Sequence, residues 1–157
     1  MKNQKYHNTA IYTFLIVAMI GFIDSVYLAT AYHSGTPLSC KFLSGCNEVA
    51  RSKYSYIGGV SLPVLGVLFY TIVAINSLLY LAKRSNIYAI ILLLVTDLGL
   101  LASIYFVYLQ VYVIGAICLY CIISATASLI LFLLSLYLFL KKSINIIYTH
   151  TLDNQLK

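Results

Sequence analysis

Charged residues are scarce in this sequence, with ten lysines and arginines and only four aspartates and glutamates among 157 residues. Hydrophobic residues make up 62% of the chain, so its apolar surface far exceeds what a small soluble domain buries. The sequence also lacks a haem-ligand pattern, a glycine-rich dinucleotide motif and a recognisable flavin motif. The composition therefore predicts an integral membrane protein.

Four apolar stretches are long enough to cross a bilayer as helices, which takes about 20 residues each. They occupy residues 10–31, 61–82, 87–109 and 114–140. The first is too long and too polar inside for a cleaved signal peptide, so we expect a permanent span. Short connections such as KRSN favour an all-α, up-down four-helix transmembrane bundle. We expect residues 1–157 to form a single membrane domain that ends in a cytoplasmic tail at 143–157.

Positive charge is distributed unequally between the two ends of the predicted bundle. Seven of the ten basic residues precede the first span, join the second to the third, or follow the fourth, and three lie in the long loop at 32–60. Because cytoplasmic segments carry an excess of Lys and Arg, both termini are predicted to be cytoplasmic and the loop extracytoplasmic. The net charge of +6 follows from this topology, and no basic stripe remains for nucleic acid.

All four cysteines fall on the predicted extracytoplasmic side. Cys40 and Cys46 lie in the long loop, and Cys118 and Cys121 lie where the fourth span begins. Disulfides form and persist in the compartments on that side of the membrane. Cys118 and Cys121 share one helical face, and a helix N-terminus favours the thiolate form of a cysteine. Two pairs on one side predict a relay by thiol–disulfide exchange.

Two other uses of the four cysteines stay open at this point. Structural disulfides would also fit, although a disulfide within C-x-x-C closes a very short loop and adds little by chain entropy. A zinc site is the other alternative, but no histidine lies beside either pair, and we predict no metal. A relay also needs an electron acceptor, and a membrane-dissolved quinone is the acceptor that a small apolar bundle hosts most easily.

Three segments of the sequence together resemble a known family. They are CKFLSGCNEVARSKY in the loop, GVSLPVLG entering the second span, and YLQVYVIGAICLYC leading into the fourth. With C-x5-C followed by C-x-x-C, they resemble the vitamin K epoxide reductase (VKOR) family in its bacterial disulfide-forming branch, over roughly residues 10–140. The resemblance implies a four-helix bundle around a quinone in the bacterial cytoplasmic membrane, with the cysteines facing the periplasm or exterior.

The resemblance also implies a role for each cysteine. Cys118 and Cys121 would be the active-site pair, with Cys121 facing a quinone of the ubiquinone, menaquinone or vitamin K type. Cys40 and Cys46 would be shuttle cysteines: Cys118 would exchange with Cys40, and Cys46 would accept electrons from a thioredoxin-like or DsbA-like partner. Ser52 would hydrogen-bond a quinone carbonyl. The polar C-terminal tail is too short for the fused thioredoxin-like domain of many relatives, so we expect a separate extracytoplasmic partner.

These features predict a membrane thiol:quinone oxidoreductase that reoxidises a dithiol partner and supports disulfide bond formation. The nearest rival mechanism is the DsbB type, in which C-x-x-C lies in the first outside loop and the wider pair in the second, the reverse of the order here. A rival of another class is a small transporter or a structural bundle whose disulfides clamp the outside face. In that rival Asp24 or Asp97, as an intramembrane carboxylate, would matter more than any thiol.

Overall fold

The computed structural model describes residues 2–38, 40 and 45–155, with side chains described at 9–38, 40 and 45–141. Over these residues the chain forms four long helices, with a short helix, a 3-10 turn and a two-stranded hairpin between the first two. In chain order the elements are α1 Lys2–Ser34, α2 Cys46–Arg51, the 3-10 turn Lys53–Ser55, β1 Tyr56–Ile57, β2 Val60–Ser61, α3 Leu62–Lys83, α4 Asn86–Tyr108, a π-helical turn Leu109–Ile114 and α5 Leu119–Gln155.

Each long helix contains a segment that is long and apolar enough to cross a membrane. Within the described part of the chain, these segments are Thr9–Ser34, Leu62–Lys83, Asn86–Ile114 and Leu119–Lys141. The predicted transmembrane four-helix fold is confirmed, and the fourth segment begins later than predicted because a π turn and a short link precede it. Helix α5 continues through most of the predicted tail, whose last two residues lie outside the described range.

The connection between α3 and α4 shows why neighbouring helices run antiparallel. Arg84 takes a left-handed backbone conformation, with φ of 49°, immediately after α3 ends. Its N–H donates to the Tyr80 carbonyl at 2.9 Å, which caps the helix C-terminus. Helix α4 then begins two residues later, so the chain reverses with almost no loop. The side of the membrane on which this turn lies stays a prediction, and Lys41 and Lys157, which the charge count used, lie outside the described residues.

The four long helices form a closed ring. Helix α1 packs against α3 and α5, and α4 packs against the same two helices, so α1 and α4 lie diagonally opposite. The Thr96 and Ser135 hydroxyls, 2.7 Å apart, link α4 to α5, and the Tyr70 hydroxyl donates to the Ser124 carbonyl at 3.0 Å, which links α3 to α5. Hydrogen bonds of this kind fix the register of helices that have little hydrophobic drive to associate in lipid.

Two buried apolar clusters divide the bundle along its length. The larger, which we call the bundle core, consists of Ala10, Ile11, Phe14, Ala18, Tyr70, Val73, Tyr80, Ala89, Leu92, Ala127, Leu131 and Leu138. The smaller, which we call the cysteine cluster, lies where α1 ends and α5 begins. It consists of Leu28, Ala31, Leu38, Cys46 and Cys118, with Cys40 and Cys121 packed against it.

Candidate functional site: a cavity walled by cysteines

The loop cysteines are joined to each other and fastened to the end of α1. Cys40 and Cys46 form a disulfide, with their Cα atoms 6.3 Å apart. The Asn47 side chain accepts the Leu38 N–H at 2.8 Å and donates to the Leu38 carbonyl at 3.4 Å. Because one amide side chain satisfies both backbone groups of Leu38, it holds α2, and Cys46 with it, against the segment that follows α1.

Close contact between two backbone segments brings the loop to the start of α5. A Cβ atom on Gly45 would lie 2.7 Å from the Ile117 nitrogen and 2.8 Å from the Ile117 oxygen. Those atoms belong to backbone and cannot move aside, so the approach requires glycine. The next residues along the two segments are Cys46 and Cys118, which are 1% and 2% exposed in the same cluster.

Cys118 immediately precedes the first residue of α5, Leu119. Its carbonyl accepts the Ile122 N–H at 3.1 Å, and its own N–H donates to the Gln110 side-chain oxygen at 2.9 Å. Cys118 and Cys121 are both free thiols. A hydrogen bond from the Cys121 thiol lowers the pKa of the Cys118 thiol and outweighs burial, which raises it. The helix N-terminus acts in the same direction, so Cys118 is the thiol better suited to serve as a thiolate.

A cavity of about 370 Å³ lies beside the two free thiols. Cys46, Cys118, Cys121 and Ser52 contribute to its wall, together with leucine, phenylalanine and other apolar side chains from all four long helices. Small-molecule sites in proteins typically measure about 300–1,000 Å³ and are mostly apolar with a few placed polar groups. By volume and lining, the cavity is suited to a largely apolar small molecule in contact with the cysteine sulfurs.

The structure brings four of the five predicted site residues, Cys46, Ser52, Cys118 and Cys121, to this cavity. Cys46 is buried in the cavity wall, whereas Cys40 is only partly buried and is not among the lining residues. The exchange of Cys118 with Cys40 that the resemblance implies stays a prediction, and the burial pattern favours Cys46 for that role. Ser52 reaches the cavity as expected, but its hydroxyl donates to the Val49 carbonyl at 2.8 Å. Its single hydrogen is therefore already used inside the loop.

Gln110 is a site residue that the sequence analysis missed. It lies in the π-helical turn after α4, is 3% exposed, and lines the cavity. A single glutamine inside an apolar run, five residues before the glycine that ends it, was the available signal. Burying an amide without hydrogen-bond partners costs free energy, so a glutamine inside an apolar run indicates that a partner lies nearby.

The two intramembrane aspartates differ in their surroundings. Asp24, on α1, has one carboxylate oxygen fully enclosed and without a hydrogen-bond partner among the described residues. Its neighbour Ser25 lines the cavity, but Asp24 does not. Asp97, on α4, is half-buried. Over the described residues, no group of three or more His, Cys, Asp or Glu side chains is arranged to hold a metal ion.

Comparison with known proteins agrees with the sequence resemblance. The sequence profile of the vitamin K epoxide reductase family matches residues 12–136. The thiol-disulfide oxidoreductase LTO1 of Arabidopsis thaliana is 33% identical over 123 residues, which cover 72% of this chain and 32% of that protein. The chain thus spans about a third of the length of this curated relative. Because the family profile covers most of the chain, including all four cysteines, this membrane protein belongs to the vitamin K epoxide reductase family.

Proposed function

We propose that this protein is a membrane thiol:quinone oxidoreductase that reoxidises a thioredoxin-like or DsbA-like dithiol partner and so supports disulfide bond formation. The observation that carries the proposal is the shared cavity. Two free thiols, Cys118 and Cys121, and one loop cysteine, Cys46, form parts of the wall of a single apolar cavity. This arrangement gives electrons a route from the loop to a ligand dissolved in the membrane.

The quinone is proposed because the cavity fits it. A bound quinone supplies an acceptor for two electrons and two protons, which matches the oxidation of a dithiol to a disulfide. The cavity lies at the level of the bundle where α5 begins, and its walls are mostly apolar. Cys121, in the first turn of α5, is the sulfur that we expect to face the ring.

The loop pair passes electrons to the helix pair by disulfide exchange. With the loop reduced, the Cys46 thiolate attacks the Cys118 sulfur of a Cys118–Cys121 disulfide, and Cys121 leaves as a thiolate. Cys40 then attacks Cys46, which restores the Cys40–Cys46 disulfide and releases Cys118. The lowered pKa of Cys118 makes it a good leaving group in this step. A loop disulfide beside two free helix thiols corresponds to the state after this transfer.

Cys40 is the residue that we propose meets the partner protein. It is more exposed than Cys46 and lies off the cavity, so an incoming thiolate has better access to its sulfur. Attack on Cys40 forms a mixed disulfide, and the second partner thiol resolves it, leaving the partner oxidised and the loop reduced. The charge distribution supports a cysteine side facing the periplasm or exterior of a bacterial cytoplasmic membrane.

Quinone reduction, followed by ultraviolet absorbance with a reduced thioredoxin-like donor and purified protein in detergent, tests the function. Wild type should turn over, and Cys121→Ser should lower the rate by about three orders of magnitude or more. Cys40→Ser should fail with the protein donor but recover in part with dithiothreitol, which can reach the inner cysteines directly. A folded wild type that leaves several quinones oxidised with several donors would refute the proposal.

Trapping of mixed disulfides tests the order of the loop cysteines. In reduced Cys46→Ser, the Cys40 thiolate should attack the disulfide of the oxidised partner and release one partner thiolate, giving a mixed disulfide on Cys40 that is detectable by mass spectrometry of alkylated protein. The matched variant Cys40→Ser should trap little partner on Cys46, because that sulfur is 1% exposed. A mixed disulfide on Cys46 in Cys40→Ser, together with little on Cys40 in Cys46→Ser, would support the order that the family resemblance implied, in which Cys46 meets the partner.

One observation favours a second candidate, a small transporter with a coupling carboxylate. The Asp24 oxygen that is enclosed without a partner among the described residues is an expensive group to keep in a membrane and marks function by default. That candidate predicts that Asp24→Asn abolishes function while Cys121→Ser does not. The two variants, assayed side by side, therefore separate the candidates.

A further inference from the structure

Gln110 is a buried amide whose position calls for an explanation. It lies in the π-helical turn Leu109–Ile114, is 3% exposed, and has largely apolar surroundings. Desolvating a primary amide costs free energy unless its oxygen and its nitrogen both find partners. π-Helical turns are rare and often lie at functional sites.

The oxygen of this amide has a defined partner. Gln110 Oε1 accepts the backbone N–H of Cys118 at 2.9 Å. This N–H belongs to the group of donors at the start of α5 that have no partner within the helix. A backbone N–H is only a donor, so the amide must present its oxygen to it, and the orientation of the side chain is fixed by chemistry. Gln110 thereby holds Cys118 in position.

The nitrogen of the same amide, Nε2, does not take part in the contact with Cys118. Gln110 lines the cavity, and its Nε2 has no hydrogen-bond partner among the residues that the structure describes. Two serines of the wall have no spare donor, since Ser52 donates to the Val49 carbonyl and Ser103 to the Gly99 carbonyl, each at 2.8 Å. An N–H donor in an apolar cavity wall is complementary to a ligand oxygen.

We propose that Gln110 binds the quinone directly, by donating an N–H of Nε2 to one quinone carbonyl oxygen, while its Oε1 keeps Cys118 in place. This inference rests on the proposed function, because it names the residue that recognises the acceptor. One side chain would then contact both reactants of the electron transfer. It would fix the distance and angle between the ring and the thiol pair.

The carbonyl dependence of binding tests the inference. Affinities for menadione and for methylnaphthalene, which has a similar bicyclic ring without carbonyls, are measured by titration calorimetry and corrected for partitioning into empty micelles. The protein is used with both cysteine pairs oxidised, so menadione binds without being reduced. Wild type should prefer menadione. Gln110→Met, of similar size but without a donor, should lower that preference about three- to tenfold, as expected for one hydrogen bond.

Ser103→Ala is the matched control, because Ser103 also lines the cavity and its hydroxyl bonds within its own helix. It should leave the preference unchanged. An unchanged preference in folded Gln110→Met, or a loss in Ser52→Ala instead, would overturn the inference while leaving the proposed function intact. Wild type that binds neither menadione nor other quinones would overturn both.

Gln110→Glu covers the case in which Gln110→Met does not fold. The carboxyl group retains an oxygen for the Cys118 N–H, and in its protonated form it also retains a donor. The preference for menadione should persist at low pH and disappear as rising pH ionises the carboxyl group, because a carboxylate repels a carbonyl oxygen. A preference equal to that of wild type at every pH would overturn the inference.

Discussion

The bundle core and the cysteine cluster are built on the same helices, yet they are packed in different ways. In the bundle core, Leu131 and Val73 are completely buried, and all of the cluster residues belong to regular α-helices. The cysteine cluster borders a cavity of about 370 Å³, and a disulfide loop and a π-helical turn form part of its surroundings. Regular backbone coincides with tight packing, and irregular backbone coincides with the cavity and the thiols.

The difference follows from what a helix does with its backbone groups. Inside a regular helix each N–H and C=O is paired within the segment, so nothing is left to hold a ligand or a thiol. Where α5 begins, unpaired N–H groups become available, and one of them binds Gln110. Stability is thus concentrated in the bundle core, and reactivity where the helices begin and end. The following changes test that division.

Truncation of one leucine in each region should give the largest effect and the clearest contrast. Leu131→Ala should lower the free energy of unfolding by about 2–5 kcal/mol, because it leaves a new cavity in closely packed surroundings. Leu28→Ala should cost about 1–2 kcal/mol, since its side chain already borders a cavity. Thermal unfolding in detergent, followed by circular dichroism, measures both. Equal losses would contradict the division between the regions.

Gly45→Ala should act on electron transfer more than on stability. The added methyl group would displace the loop from Ile117 and move Cys46 away from Cys118. A misplacement of about 1 Å can slow a reaction by up to about a hundredfold. The rate at which a reduced loop reduces the Cys118–Cys121 disulfide, measured by quenched alkylation and mass spectrometry, should fall by 10- to 100-fold, roughly. Direct reduction of the same disulfide by a small thiol serves as control and should not change.

Cys121→Ala should shift the reactivity of Cys118 toward higher pH. The Cys121 thiol lowers the pKa of Cys118 through a hydrogen bond, so its removal raises that pKa and reduces the thiolate fraction at neutral pH. The pH profile of Cys118 alkylation in protein with an intact loop disulfide reports the change. Cys121→Ser, whose hydroxyl retains a donor, should shift less. A profile that moves to lower pH would show that Cys121 does not stabilise the thiolate.

Asp24→Asn should have the smallest effect. Asp24 does not line the cavity, and a neutral amide is easier to keep at that depth than a carboxylate. We expect the free energy of unfolding to change by less than about 1 kcal/mol and quinone reduction to stay within about twofold of wild type. Asp97→Asn on the diagonal helix is the matched variant. A large loss of thiol oxidation in Asp24→Asn alone would place this carboxyl group in the path of the protons.

Much of the fold could be predicted because the membrane imposes it. Hydropathy identified the four spans, and the spacing of the cysteines placed two of them at the start of the fourth helix, where α5 indeed begins at Leu119. In lipid, an isolated apolar stretch can pair all of its backbone groups only as a helix. The length and composition of each stretch were therefore sufficient to predict a transmembrane helix.

The interior of the site was less predictable, because it depends on contacts between distant segments. Which loop cysteine is buried depends on the fit of Gly45 against Ile117, and sequence spacing carries no such information. The Ser52 hydroxyl has a nearby carbonyl partner at Val49, so its availability to a ligand could not be read from its identity. The partnership of Gln110 with Cys118 required knowledge of the π turn that brings them together.

The π-helical turn has a consequence for the length of this segment. A π turn holds more residues than an α-helical turn, so deleting a single residue such as Val111 would allow an ordinary helix to form. Each residue of an α-helix accounts for about 100° of rotation, so the residues after the deletion would turn relative to α4, and the Cys118 N–H would move away from Gln110 Oε1 even though no side chain around the cavity had been replaced. The number of residues before Cys118 is therefore itself part of the site, and an insertion or deletion there should be as harmful as a substitution.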